Sequence, residues 1–190
     1  MLGRALSRSV LSCGGAPAVV ASVREAREAL ASQWGGIVLD VTLPDGDGLA
    51  LAREIREANP QLPLMVLTGS IDVRVASRAS ELGASFASKL DDIERLRARL
   101  ALLVEEARER TARVDAIVLV RARRHRLTRA ETELLGEFVA GRSRDALAQV
   151  LGIAETSVRS RVRGVCRKLG IAHLESVHRL VVAELLASVQ

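Results

Sequence analysis

Two apolar runs, 37–41 and 64–68, carry one polar side chain each near their ends, Asp40 and Thr68, and each leads into a segment of helical periodicity. A strand that is apolar on both faces is buried on both, as in parallel sheets covered by helices on two sides. This feature confines the first part of the chain to an α/β architecture. Shorter runs at 18–21 and 85–88 read as two further strands. Helices fall between them. Leu2, Ala5, Leu6, Ser9, Val10 and Cys13 share one helical face, ended by Gly14 and Gly15. Ser22 and Glu25 have capping-box spacing and open a helix expected to reach about Gln33, before Gly35 and Gly36. Further helices are expected over 49–58, stopped by Asn59 and Pro60, and over 72–82, opened at Asp72 and stopped by Gly83. The alternation predicts a parallel sheet with helices on both faces. Asp45 and Asp47 suggest a calcium loop, but Leu49 and Arg56 stand where further ligands are needed, so the segment reads as a turn.

Beyond the last strand, Asp91 is placed to cap a helix with Glu94 at its third position. Ile93, Leu96, Leu100, Leu103, Ala107, Arg110, Val114, Ile117 and Arg121 then recur at spacings of three and four. The first half reads as an amphipathic helix packed on the sheet. The second reads as a connecting or dimerising helix, the alternative being a separate short helix. A basic run of Arg121, Arg123, Arg124, His125 and Arg126 marks a boundary. Four helical segments follow. Thr128 and Glu131 form a second capping box, opening a helix through Leu134, Leu135, Phe138 and Val139 to Gly141. Ser143 caps a short helix through Leu147 and Leu151, and Gly152 turns the chain. A third helix over 155–169 buries Val158, Val162, Val165 and Leu169 and ends at Gly170. The last, over 174–188, buries Val177, Leu180, Val181 and Leu185.

Charge divides the chain as the periodicity does. Residues 1–105 carry 12 basic and 13 acidic side chains, and residues 106–190 carry 16 and 10. A neutral first part and a basic second part point to an anionic partner for the C-terminal half. With one Trp, two Phe and no Tyr, aliphatic side chains must fill the cores. Cys13 and Cys166 have neither metal-ligand nor disulfide-framework spacing. No apolar run is long enough to span a bilayer, and the N-terminal apolar residues are interrupted by Ser and Arg, unlike a signal peptide. The expected location is cytoplasmic, with no membrane partner.

Ligands of open α/β sheets bind beyond the carboxyl ends of the strands, where Asp40, Thr68 and Lys89 are expected. A carboxylate can attack a phosphoryl group, a hydroxyl can bond its oxygens and an ammonium can neutralise them. The segment from Val38 through Asp40, Pro44 and Gly48 resembles the acceptor segment of response-regulator receiver domains. Met65 to Gly69, followed by Gly83 and Ala84, is similar to their fourth strand and next helix. The resemblance covers about residues 1–105. It implies a flavodoxin-like fold, Asp40 as phosphoacceptor for a sensor histidine kinase, Thr68 and Lys89 as phosphoryl-sensing residues, and Phe86 only near the aromatic switch position. The family's first strand, which ends in an acidic pair that holds Mg²⁺, has no counterpart ahead of the first helix here. Mg²⁺ would be left with Asp40 and a backbone carbonyl. Two explanations stand: a start inside a longer natural protein, or a degenerate receiver signalling without phosphate. Leu90 also stands where the family has proline.

The second half resembles the LuxR-type, GerE-like helix-turn-helix domain over about 124–188, so that the whole is similar to regulators of the NarL/FixJ type. The resemblance is carried by Leu127, Thr128 and Glu131, by Ala148 to Ile153 with Thr156 to Val158, and by Arg167 to Ile171. Ala146 replaces an acidic residue and Ala154 a serine N-cap, which predicts a weaker start to the reading helix, offset in part by Glu155 or Thr156. The helix over 155–169 is expected to expose Ser157, Arg159, Ser160, Arg161, Arg163 and Arg167. The family pattern implies that Ser157, Val158, Arg159 and Arg163 meet double-stranded DNA, with Arg142, Arg144, Arg167 and Lys168 on phosphates. It also implies a homodimer on paired half-sites, with Val177, Val181 and Leu185 of the last helix as its contact.

The expected organisation is therefore a receiver-like α/β domain over 1–105 lacking its first strand, a helical linker over 106–123, and an all-α, four-helix DNA-binding domain over 124–190. The function this implies is a transcription regulator rather than an enzyme. An aspartate-based phosphatase of the haloacid-dehalogenase kind is the enzymatic alternative, but Thr42 stands where it needs a second aspartate. A protein-interaction adaptor is the other.

Overall fold

The computed structural model describes residues 2–30, 34–69, 73–140, 142 and 144–187, with the backbone alone for Leu2, Arg144 and Asp145. The expected helix opening at Asp72, the stop at Gly141, the cap at Ser143 and the helix ends near Gln33 and Ser188 lie outside the described residues. The chain forms two compact units, Met1–Leu30 with Gly35–Arg110, and Ala31–Trp34 with Thr111–Gln190.

The first unit is built on three parallel strands in the order β1 (Ile37–Asp40), β4 (Leu64–Thr68), β5 (Ser85–Ser88). All five residues of β4 are buried, as its unbroken apolar run requires. Between β1 and β4 lie a small antiparallel hairpin, β2 (Thr42–Leu43) and β3 (Gly46–Asp47), where only a turn was expected, and helix α3 (Gly48–Ala58). Helix α4 (Val73–Glu81) joins β4 to β5, ending at Gly83 with a left-handed φ of 60°. One face of the sheet packs Leu39, Leu64 and Val66 against Leu51, Ala52 and Ile55 of α3. The other packs Met65, Leu67 and Ala87 against Leu96, Leu100 and Leu103 of α5 (Ile93–Arg124), with Leu6 and Val10 of α1 (Leu2–Ser12) at its margin. Each Leu, Val, Ile or Met side chain among them contributes about 1.5–3 kcal/mol on burial. Arg56 ties the loops at the amino ends of β4 and β5 together, donating to the carbonyls of Leu82 at 2.7 Å, Leu62 at 3.1 Å and Gly83 at 3.1 Å.

Three local expectations are corrected. Residues 18–21 are not a strand; Val19 is 67% exposed. A strand persists only where a neighbour supplies a ladder, and in the 2-1-3-4-5 order of flavodoxin-like sheets the second strand never touches the third. Among the described residues nothing pairs with the other edge of β1. Asp91 does not cap α5: its carboxylate turns back to accept the Ser88 amide at 3.2 Å, and Asp92 accepts the Arg95 amide at 2.8 Å instead. Glu25 of α2 (Val23–Ala29) completes only half a box, since Ser22 accepts its amide but its own carboxylate reaches Ala21 rather than Ser22.

Helix α5 is continuous over 32 residues, which removes the alternative of a separate short helix. Its distal part buries Val118 and Ala122 within the second unit. That unit continues with α6 (Arg129–Val139), α7 (Arg144–Val150), α8 (Glu155–Leu169) and α9 (Ser176–Ala187). The capping box of α6 is complete, Thr128 Oγ1 accepting the Glu131 amide and Glu131 Oε2 accepting the Thr128 amide. Leu134, Leu135, Leu147, Val165, Leu174 and Val177 are fully enclosed in one aliphatic core. Val181 and Leu185 belong to the same core. The expected dimer contact through Val177, Val181 and Leu185 is therefore corrected: these side chains are spent inside the fold.

Candidate functional site

The strand register decides where Asp40, Thr68 and Lys89 meet. Asp40 pairs with Leu67, and Thr68 pairs with Ser88. The ladder runs on past the strand ends through Val41 N to Leu67 O at 2.9 Å and Lys89 N to Thr68 O at 2.7 Å. Asp40, Thr68 and Lys89 thus share the carboxyl edge of the sheet. The Lys89 ammonium closes on Asp40 Oδ2, while Asp40 Oδ1 accepts the Thr42 amide at 3.0 Å. Both partners keep about a third of their side-chain surface, 27% for Lys89 and 32% for Asp40, so the carboxylate is fixed yet reachable. Thr68 is buried, one residue beyond Leu67 on the neighbouring strand. Such an edge presents a nucleophilic oxygen next to a cation able to balance phosphoryl charge.

Gly48 lets the edge close. A Cβ there would stand 2.0 Å from the Asp40 carbonyl oxygen and 2.9 Å from Val41 Cα. The Gly48 amide donates to Val41 O at 2.9 Å, bringing the start of α3 against the end of β1. Asp47 caps α3 through the Leu49 amide at 2.9 Å. Asp45 accepts the amides of Val23 at 2.7 Å and Arg24 at 3.1 Å, and these bonds hold its carboxyl below the usual range. Both aspartates, unassigned beyond a turn in the sequence, are helix caps.

In the second unit, α8 turns Val158, Val162 and Val165 inward and leaves Ser157, Arg159, Ser160, Arg163 and Arg167 exposed, with Arg161 half-buried. Val158 is only 4% exposed; its expected place at a DNA surface is corrected, because it shares the inward stripe of the other valines. Arg159 makes one loose pair with Glu155 at 3.4 Å, both side chains 74% exposed. Ala154 supplies no side-chain cap, and no bond from Glu155 or Thr156 replaces one; the Ala154 carbonyl takes the Ser157 and Val158 amides. Lys168 is committed inward, to Glu131 at 2.6 Å and the Arg126 carbonyl at 3.2 Å. Burial works to raise the Glu131 carboxyl, but Lys168 and Thr128 outweigh it and hold it below its ordinary value. Gly164 makes room, since a Cβ there would meet Glu131 Oε1 at 2.7 Å. Arg142 is exposed and pairs loosely with Glu137 at 3.6 Å. The Arg144 side chain lies outside what is described.

The family model for the response regulator receiver domain matches residues 4–101, just over half the chain. The chain belongs to the response regulator receiver family. The transcriptional regulatory protein FixJ of Azorhizobium caulinodans is 33% identical over 151 residues, covering 77% of this chain and 70% of FixJ. The response regulator protein TodT of Pseudomonas putida is 23% identical over 150 residues, 78% of this chain. This chain spans 66% of the length of TodT, slightly under two thirds. The solution structure of the beryllofluoride-activated NtrC4 receiver domain dimer is 31% identical with a TM-score of 0.51, covering 56% of this chain and 89% of that one. Response regulator StyR, 24% identical with a TM-score of 0.51 over 94% of this chain and 91% of its own, shares the fold. The chain is thus a response regulator, homologous to transcriptional regulators, and this kinship lends no support to the phosphatase alternative.

Receiver domains commonly bind Mg²⁺ at the phosphorylation site, and the ion needs near-octahedral oxygen ligation. The described residues of this receiver domain do not fit it. One Asp40 oxygen faces Lys89 and the other a backbone amide, while Asp45, Asp47 and Asp91 are engaged as caps and turns. No group of three or more His, Cys, Asp or Glu side chains could hold a metal among the described residues. Nor is any described helix long and apolar enough to cross a membrane.

Proposed function

We propose that this response regulator is a cytoplasmic, sequence-specific DNA-binding regulator of transcription of the NarL/FixJ type. In this reading residues 1–105 form the receiver, 106–123 a helical linker and 124–190 a LuxR-type helix-turn-helix domain. One observation carries the reading: α8 presents Ser157, Arg159, Ser160, Arg163 and Arg167 to solvent while its valines anchor it in the core. Arginine bonds guanine edges bidentately or binds phosphates, and the N-terminal part of a reading helix lies nearest the bases. Ser157, Arg159 and Arg163 meet base edges, with Arg161, Arg142, Arg144 and Arg167 on the backbone. Lys168 leaves the set, because its ammonium is held by Glu131. The names of FixJ and of TdiR from Thauera aromatica, both transcriptional regulatory proteins, support the same reading.

Control comes from the receiver edge. An Asp40 oxygen attacks the phosphorus of a kinase phosphohistidine, the O–P bond forms as the N–P bond breaks, and histidine leaves. Lys89 then passes from the carboxylate to the phosphoryl oxygens, with Thr68 as the hydroxyl partner. A phosphate-independent contact at the same edge is the second route, favoured by the donor set that does not fit Mg²⁺. On DNA the protein acts as a homodimer on paired half-sites.

The test is titration of the full chain against random-sequence duplex DNA at two salt concentrations. About four phosphate contacts should cost roughly two orders of magnitude in affinity between about 50 and 200 mM salt. Absent or salt-insensitive binding would instead support an adaptor that docks on a polymerase subunit.

A further inference from the structure

The basic run 121–126 has a geometry that its role as a boundary does not explain. Arg121 is paired with Glu184 at 2.6 Å. Arg123 and Arg124 lie on the exposed side of the end of α5, opposite buried Ala122, and Arg126 and Arg129 are exposed on the turn and the first position of α6. No ion pair joins these four to a carboxylate among the described residues, although Arg24, Arg27, Arg95, Arg108, Arg142 and Arg159 all have one. Arg126 has a φ of 52°, the one described non-glycine residue in the left-handed region. It ends α5 with the Leu127 amide on the Ala122 carbonyl at 2.8 Å, a position at which glycine is the favoured residue. An arginine is therefore kept where the backbone disfavours any side chain, which points to a use for the guanidinium.

The turn is fixed to the C-terminal end of α8. His125 Nδ1 bonds the Lys168 carbonyl at 3.0 Å, and Lys168 Nζ donates to the Arg126 carbonyl at 3.2 Å. Helix α8 has 15 residues, about 22 Å at a rise of about 1.5 Å per residue. The major groove is about 12 Å wide. If the first turns of α8 enter the groove, its last turn, with Arg167 and the attached arginine turn, projects over the flanking phosphates.

We propose that Arg123, Arg124 and Arg126 form a second DNA-backbone clamp, continuous with Arg167, that grips phosphates outside the base-reading segment. The clamp rests on the DNA-binding reading above and adds to it a surface outside the four C-terminal helices.

The experiment measures the salt dependence of full-length protein binding to a random-sequence duplex by fluorescence anisotropy. The variants are R123Q/R124Q/R126Q, R126G alone, and the control R53Q/R78Q/R97Q on exposed arginines of the first unit. Each lost phosphate contact lowers the slope of log K against log salt by about 0.9. The triple variant should lose between about 2 and 3 from that slope, and R126G about 0.9, with the control unchanged. R126G places the favoured residue at the positive φ, so its fold is secure and its thermal midpoint should not fall. Slopes unchanged in both variants while DNA is still bound would overturn the clamp and leave the DNA-binding reading standing. An equal fall in the control would also overturn it, as diffuse charge. No DNA binding by the unaltered chain would overturn both.

Discussion

Asp40 is held in place by neighbours whose importance is backbone geometry more than charge. Its ion pair with Lys89 joins two groups that are each about a third exposed, and such pairs contribute at most about 1 kcal/mol. Gly48 matters more. A methyl group there would overlap the Asp40 carbonyl oxygen, a strand backbone atom that has no free rotor to swing aside. Gly48→Ala should therefore destabilise the first unit by about 2–4 kcal/mol, read as a lowered midpoint in denaturant melts followed by amide hydrogen exchange of β1 and β4. Lys89→Gln should shift it by less than about 1 kcal/mol. The sequence placed Gly48 within an acceptor segment by resemblance, but only the fold supplies the reason, because the clash involves an element eight residues away. Asp45 escaped sequence reading for the same cause: its partners, Val23 and Arg24, are over twenty residues distant.

Elements whose signals are local were legible, and those that depend on a neighbour were not. The full capping box at Thr128 and Glu131 and the inward valines of α8 follow from spacing within one helix. Strands β1 and β4 follow from apolar runs, while β5, with a serine at each end, follows from its place after the Gly83 stop. Residues 18–21 have a comparable run but no ladder to join, so composition alone misleads. Asp91 and Asp92 are equally good caps in sequence, and the choice falls to Asp92 because Asp91 is drawn to the Ser88 amide. The missing cap on α8 was legible at Ala154, whereas the expected compensation by Glu155 or Thr156 is absent. Ala154→Ser should accordingly stabilise the second unit by about 0.5–1 kcal/mol, since a hydroxyl there can accept a free amide of the first turn. Thermal melts of the full chain should show the gain in the transition that belongs to the helical unit. No change would mean that the first turn of α8 is already satisfied.

At the scale of the whole molecule, charge, fold and kinship agree on a division of labour. A nearly neutral receiver carries the edge with Asp40 and Lys89, and a basic helical unit carries the arginines of α8. Sequence alone gave the order of the parts, because periodicity changes from strand-and-helix to helix alone at one point. Helical spacing also placed Val158, Val177, Val181 and Leu185 inward, as they are; what fails is the further use that the family pattern implied for them, at a DNA surface or a dimer contact, because one core consumes them all. The central claim is that the exposed side of α8 reads duplex DNA. Selection of bound sequences from a randomised duplex library tests it most directly, comparing the unaltered protein with Arg159→Ala, whose loose pair to Glu155 costs little to break. The unaltered protein should enrich a paired motif, and Arg159→Ala should lose preference at one position per half-site with a cost of about 1–3 kcal/mol. Recovery of the same motif at full strength by Arg159→Ala, or no enrichment by either protein, would contradict the account.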